Sequence, residues 1–106
     1  MKYFDSFIKV LHHHTHIKAG YQAVLHIGGV RQTVWAVRIF DKEYVQTNDQ
    51  AKITFKFKYG VEFIERGDKI MIREGNTKAF GHICDIYPMY APPKDLIDKF
   101  ITNDVI

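Results

Sequence analysis

Ala51-Lys52-Ile53-Thr54-Phe55-Lys56-Phe57-Lys58-Tyr59 alternates without a slip: every odd position is apolar or aromatic and every even one is lysine or threonine. Period two marks a strand with one face in a core and the other toward water. Ile53, Phe55 and Phe57 are therefore expected inward, and Lys52, Lys56 and Lys58 outward. Residues 22–27 alternate more loosely, with Ala23, Leu25 and Ile27 on one side. Residues 3–11, 33–40, 69–73 and 80–87 are rich in Val, Ile, Phe and Tyr, the side chains favoured on a pleated surface. Six strands result, and the segments between them are turn chemistry: Lys18-Ala19-Gly20, Gly28-Gly29, Thr47-Asn48-Asp49, Arg66-Gly67-Asp68 and Glu74-Gly75-Asn76. Six short antiparallel strands with no helical pattern among them predict an all-β fold, a closed six-stranded barrel or a sandwich. The barrel is favoured because an open sheet this small would leave unprotected edges.

The pattern changes after Ile86. Tyr87-Pro88-Met89-Tyr90-Ala91-Pro92-Pro93 cannot continue a ladder, since each proline lacks a donor. Beyond it, Leu96, Ile97, Phe100 and Ile101 share one helical face, opposite the pairs Lys94/Asp98 and Asp95/Lys99, which predicts a short C-terminal helix. The expected division is a barrel over 1–87 and a Pro-rich segment with the helix over 88–106.

A chain of 106 residues is enough for one core, and its 46% hydrophobic and 25% charged residues exclude a disordered chain. One cysteine excludes an internal disulfide and a Cys-rich zinc site. No apolar run approaches the roughly 20 residues a bilayer demands, and the first residues lack a signal peptide's apolar stretch. A soluble, cytoplasmic protein with no membrane partner is expected. The net charge of +3 is too small to argue for nucleic acid by itself. Its distribution is more informative, because residues 88–106 carry two Lys and three Asp and the basic surface belongs to the barrel.

The residues bear on three chemistries. His12, His14 and His16 of Leu11-His12-His13-His14-Thr15-His16 would share a face of an extended chain, but no carboxylate or Cys lies nearby as a further ligand, and no metal is assigned. Cys84, with His82 two residues away, sits in an apolar run where a small buried side chain is the ordinary role, and no catalytic residue is assigned. A Gly-x-x-x-x-Gly-Lys-Ser/Thr phosphate loop is absent, so these residues do not hold GTP by that route. What remains is basic: Lys52, Lys56 and Lys58 on a wet strand face, and Arg31, Arg73 and Lys78 at or beside turns with polar neighbours. Such side chains hold phosphates and sugar hydroxyls, or are simply solvated.

The order of the motifs carries more. Phe4 through Leu11 followed by His12-His13, then Ile17-Lys18-Ala19-Gly20-Tyr21, Val30-Arg31-Gln32-Thr33, Thr47-Asn48-Asp49-Gln50-Ala51, Arg73-Glu74-Gly75 and Thr77-Lys78-Ala79-Phe80-Gly81 resemble the C-terminal barrel of elongation-factor-Tu-like GTPases. The details Leu-His-His, Val-Arg-Gln-Thr and Arg-Glu-Gly-x-Thr-Lys-Ala-x-Gly are most similar to the eukaryotic GTP-binding protein 1/2-like subfamily related to elongation factor 1-alpha.

The resemblance implies the third domain of a larger GTPase, after a nucleotide-binding domain and another barrel. The parent would hold GTP and magnesium and hydrolyse the nucleotide; this domain would be non-catalytic and carry no cofactor. Its implied partners are the parent GTPase domain, the second barrel, tRNA or the ribosome, and RNA-decay machinery. Arg73, Glu74 and Gly75 match the hairpin that lies against the T stem of aminoacyl-tRNA, and Val24 matches a strand position near the same RNA surface. With Arg31 and Lys78 these form the expected RNA-binding set. The sequence departs from the bacterial factor in having Val24 where Gln is common and Asn76 in a shorter turn, departures that weaken or redirect affinity for tRNA. The alternative is a protein-docking module of the same GTPase without RNA contact, in which Arg73 and Glu74 pair internally.

Overall fold

The computed structural model describes residues 2–13, 16–88 and 93. Eight strands form: β1 (Tyr3–His12), β2 (Ile17–Lys18), β3 (Gln22–Ile27), β4 (Val30–Ile39), β5 (Tyr44–Val45), β6 (Gln50–Phe57), β7 (Lys69–Glu74) and β8 (Thr77–Ile86). Six of them close into an antiparallel barrel in the order β1-β6-β4-β3-β7-β8, and β2 pairs with β5 in a separate two-stranded sheet.

The alternation in β6 sets the inward face as read, whereas Thr54 on the other face is covered as well, because it is bonded to Asp5 and Arg38. Ile53, Phe55 and Phe57 are fully buried, and Phe4 of β1 packs its ring 5.6 Å from Phe55 and 5.1 Å from Phe57. Leu25, Val34, Ala36, Ile70, Ile72, Ala79 and Ile83 complete the interior from the other strands. Lys52, Lys56 and Lys58 lie on the outer face.

Three register shifts bend the ladder, one of them between Val10 and His12 of β1, where Leu11 is the extra residue against Ala79 and Lys78 of β8. Between β4 and β6, Ala36 opposes Phe55 but Arg38 opposes Thr54, so Val37 is an extra residue. Strict alternation would send Arg38 inward beside Ala36; the bulge turns the guanidinium to the outside, where its Nε donates to Thr54 Oγ1 at 3.2 Å. Between β1 and β8, Asp5 opposes Asp85 and Ser6 opposes Ile83, leaving Cys84 as the extra residue.

Strand limits differ from the sequence expectation mainly at ends that polar residues occupy. β4 begins at Val30, since Gly28-Gly29 makes a two-residue turn with Ile27 opposite Val30, and β8 begins at Thr77. The two-residue strands β2 and β5 have too few positions to show a period. The helix expected over residues 94–101 lies outside the described residues. No helix among the described residues is long and apolar enough to cross a membrane.

Candidate functional site

β7 and β8 meet in a two-residue turn, Gly75-Asn76, with Glu74 opposite Thr77. Gly75 has φ 55, which a side chain would resist, and glycine in the first place of so tight a turn matches the right-handed twist of the strands it joins. One residue below the turn, Arg73 opposes Lys78 across the hairpin. On the other side β3 pairs with β7 through Leu25 with Ile72 and His26 with Met71, and one step further along that register brings Val24 beside Arg73. Val24 in turn opposes Thr33 of β4, and Lys78 opposes His12 of β1. A single row thus runs Thr33, Val24, Arg73, Lys78, His12 around the outside of five strands.

Arg31 flanks the row. With Val24, Gln32, Thr33 and Tyr59 it lines an open groove of about 410 Å³. The fold therefore brings together Val24, Arg31, Arg73 and Lys78, with Glu74 and Gly75 projecting at the hairpin tip. Arg73, Glu74, Gly75 and Lys78 are all exposed. No ion pair joins Arg73 to Glu74 among the described residues, so the internal pairing weighed from the sequence is not what holds the hairpin.

What holds it is a cluster the sequence reading missed. Thr77, 5% exposed, shares a hydrogen bond with His13 Nδ1 at 2.7 Å, and His13 stands edge-on to Tyr21 with ring centres 5.2 Å apart. Thr77 also hydrogen-bonds the Tyr21 phenol, whose pKa is raised, first by burial and further by the charge of Glu74. The backbone of His13 is tied to Thr47 on both sides: its N–H donates to Thr47 Oγ1 and its carbonyl accepts from the same hydroxyl, each at 3.0 Å. His13 is an anchor under the hairpin. Inside a run of consecutive histidines nothing in the sequence distinguishes it from its neighbours.

The other histidines disperse. His12 is exposed at the end of β1, and His16 stacks on Tyr44 at 3.9 Å; His14 lies outside the described residues. His82 rests against the Phe7 ring, 5.9 Å between centres. The bulge removes Cys84 from regular alternation with His82, and the thiol's pKa is raised, chiefly by desolvation. A thiol held protonated in this way is a poor nucleophile.

A second surface adjoins the row. Phe7 and Leu11 of β1, Met71 of β7 and Phe80 of β8 are each between 44% and 49% exposed. Cross-strand pairing sets them side by side, Phe7 with His82, Lys9 with Phe80 and Met71 with Phe80. They border a shallow groove of about 420 Å³ that continues past Phe80 into a smaller one reaching Arg73 and Lys78. Contiguous exposed apolar side chains on a sheet face mark an interaction surface.

No protein-family model matches the chain. It is 35% identical over 88 residues to GTP-binding protein 2 of Mus musculus and of Homo sapiens, which covers 83% of this chain. It is 38% identical over 83 residues to GTP-binding protein 1 of Xenopus laevis, covering 78% of this chain. The chain spans only 15% and 12% of the length of those relatives. It is homologous to one part of GTP-binding proteins and folds as a closed six-stranded barrel.

Proposed function

We propose that this barrel is a non-catalytic C-terminal domain of an elongation factor 1-alpha-like, translational-type GTPase of the cytoplasm. It packs on the parent's other domains and contacts tRNA or another RNA. The parent binds GTP with magnesium and hydrolyses it in a nucleotide-binding domain; the barrel supplies surfaces. Val24, Arg31, Arg73, Glu74, Gly75 and Lys78 form the RNA side. The observation that carries this reading is the row itself: two cations, Arg73 and Lys78, stand opposite each other beside a glycine turn, with Arg73 unpaired to Glu74. Glycine lets the backbone approach a ribose-phosphate edge, a carboxylate accepts from a 2′-hydroxyl, and a guanidinium holds phosphate. The apolar face of β1, β8 and β7 supports packing against the parent GTPase domain and second barrel.

Labelled tRNA titrated with the intact parent protein, at two salt concentrations, tests the RNA side. Arg73→Ala is expected to weaken binding by about 1–3 kcal/mol, as for loss of a charge-assisted contact, and to reduce the salt dependence. Glu74→Ala is expected to act less, because the lost ribose contact is offset by relief of repulsion from phosphate. Unchanged affinity and salt slope in Arg73→Ala, with a lower melting temperature, would make the hairpin purely structural. The exposed Phe7, Leu11, Met71 and Phe80 favour the second reading in that event, a protein-docking module facing the parent, a ribosomal or an RNA-decay partner.

A further inference from the structure

The outer face of β6 and β4 carries a feature that the hairpin row does not use. Lys52 Nζ lies 4.7 Å from the centre of the Phe40 ring, over which Arg38 also sits at 4.3 Å. Lys56 Nζ is 5.5 Å from the rings of Tyr3 and Trp35, and Lys58 Nζ is 5.8 Å from Trp35 and 5.3 Å from Tyr59. Each ammonium rests on an aromatic floor, which orders its flexible stem without neutralising the charge. Lys52 also approaches one carboxylate, Asp5, at 4.0 Å, and Lys58 Nζ donates to Gln22 Oε1 at 3.3 Å. Among the described residues no carboxylate pairs with Lys56 or Lys58. With Lys2 and Arg38, the three lysines make five cations along this face, in a chain whose whole formal net charge is +3. Lys2 senses the crowding: its pKa is lowered, first by burial and then by Lys56.

Spacing identifies the partner. Same-face positions on a strand recur about every 6.7 Å, close to the span of one extended nucleotide, and Lys52 to Lys58 covers roughly 20 Å, about four nucleotides. Lysines act as point charges that hold phosphate without fixing its orientation, which suits a backbone bound without sequence preference, and here three of the four cations seated on rings are lysines. Tyr59, 69% exposed at one end, and Trp35 between two lysines offer faces on which bases stack regardless of sequence. We propose that the Lys52-Lys56-Lys58 stripe, floored by Phe40, Trp35 and Tyr59, is a second nucleic-acid surface that holds the backbone of single-stranded RNA without sequence preference. Its lysines are distinct from the cations of the hairpin row, so either set can fail alone. The two surfaces adjoin at Tyr59, which also lines the Arg31 groove and whose N–H donates to Gln32 Oε1 at 2.8 Å, and at the Lys58 N–H, which donates to the Thr33 carbonyl at 2.9 Å, Thr33 opposing Val24.

Trp35 is the chain's one tryptophan, which makes the stripe its own reporter. The 106-residue chain is titrated with a 12-nucleotide oligouridylate at several salt concentrations, following Trp35 emission and the anisotropy of a label on the oligonucleotide. Binding is expected to change Trp35 emission as phosphates draw the lysines from the ring. The triple variant Lys52→Gln, Lys56→Gln, Lys58→Gln is expected to lower the slope of log affinity against log salt by about 2, and Lys56→Gln alone by about 0.7. The Lys→Arg triple variant is expected to retain binding. Should the Gln triple variant lose its β-sheet circular dichroism, the single variant decides by its slope. The proposal is overturned if the wild-type chain does not bind the oligonucleotide at 50 mM salt. It is equally overturned if the folded lysine variants keep the wild-type slope, or if polyglutamate of equal charge binds as tightly, which would make the occupant an acidic protein segment. The tRNA response of Arg73→Ala is scored separately and bears on the hairpin row only.

Discussion

Gly81 opposes Ile8 of β1 and Ile70 of β7, and a Cβ built on it would lie 1.8 Å from the Phe7 carbonyl oxygen and 2.9 Å from the Ile8 Cα. Those obstacles are backbone, so neither rotates away. Gly81→Ala is expected to destabilise the chain by on the order of 3–5 kcal/mol in urea unfolding, by prying β8 from β1. Asp5 is another single residue on which much depends. At 2% exposure it accepts from Thr54 Oγ1 at 2.6 Å and from the Tyr87 hydroxyl at 2.7 Å. Asp5→Ala removes the acceptor of both hydroxyls and is expected to cost about 2–4 kcal/mol. The Tyr87 phenol's pKa is raised well above the ordinary tyrosine value, by burial first and by the bond to Asp5 second. The unfolded chain therefore loses this proton at lower pH than the folded one, so Tyr87's contribution is complete below about pH 10 and declines above it. The urea midpoint of wild type is expected to fall more steeply between pH 9 and 11 than that of Tyr87→Phe.

At the scale of elements, β6 and β7 were legible because their inward and outward residues differ in kind, as in Lys56 against Phe57 or Arg73 against Ile72. The outer face of β1 and β8 was less so. Phe7, Leu11 and Phe80 are as apolar as the core residues beside them, and composition alone does not say which face of such a strand is wet. Three bulges added to this, since an extra Leu11, Val37 or Cys84 shifts the pattern by one place with no local signal. The hairpin row was legible in part: Arg73, Gly75 and Lys78 are adjacent in sequence, but Val24 and Arg31 join them only through the β3–β7 pairing, and His13 only through Thr77. The apolar outer face leads to a prediction. Phe80→Ser, on a side chain 48% exposed, is expected to change the barrel's stability by no more than about 1 kcal/mol while weakening association with the separately expressed parent domains. Equal association of wild type and variant in calorimetry would remove this face from the domain interface.

For the whole molecule, the decisive fact is the strand order. β1 bonds to β6 on one side and to β8 on the other, with Phe4 opposite Ile86. A chain ending after Glu74 lacks β8 and leaves both β1 and β7 with an open edge over the interior. Such a truncation is expected to be unfolded and quickly cleaved by protease, whereas the chain through Pro88 is expected to resist; resistance of the short form would mean that the remaining five strands form a stable core of their own. The same closure imposes a schedule on synthesis. At roughly 5–20 residues per second, the first strand to leave a ribosome waits about 4–16 s for the last one that completes it. Throughout that interval Phe4, Ile8 and Val10 have no finished interior to enter. The nascent chain's vulnerability is therefore a matter of time as well as surface, and a pause in translation anywhere between β1 and β8 would prolong it by the length of the pause.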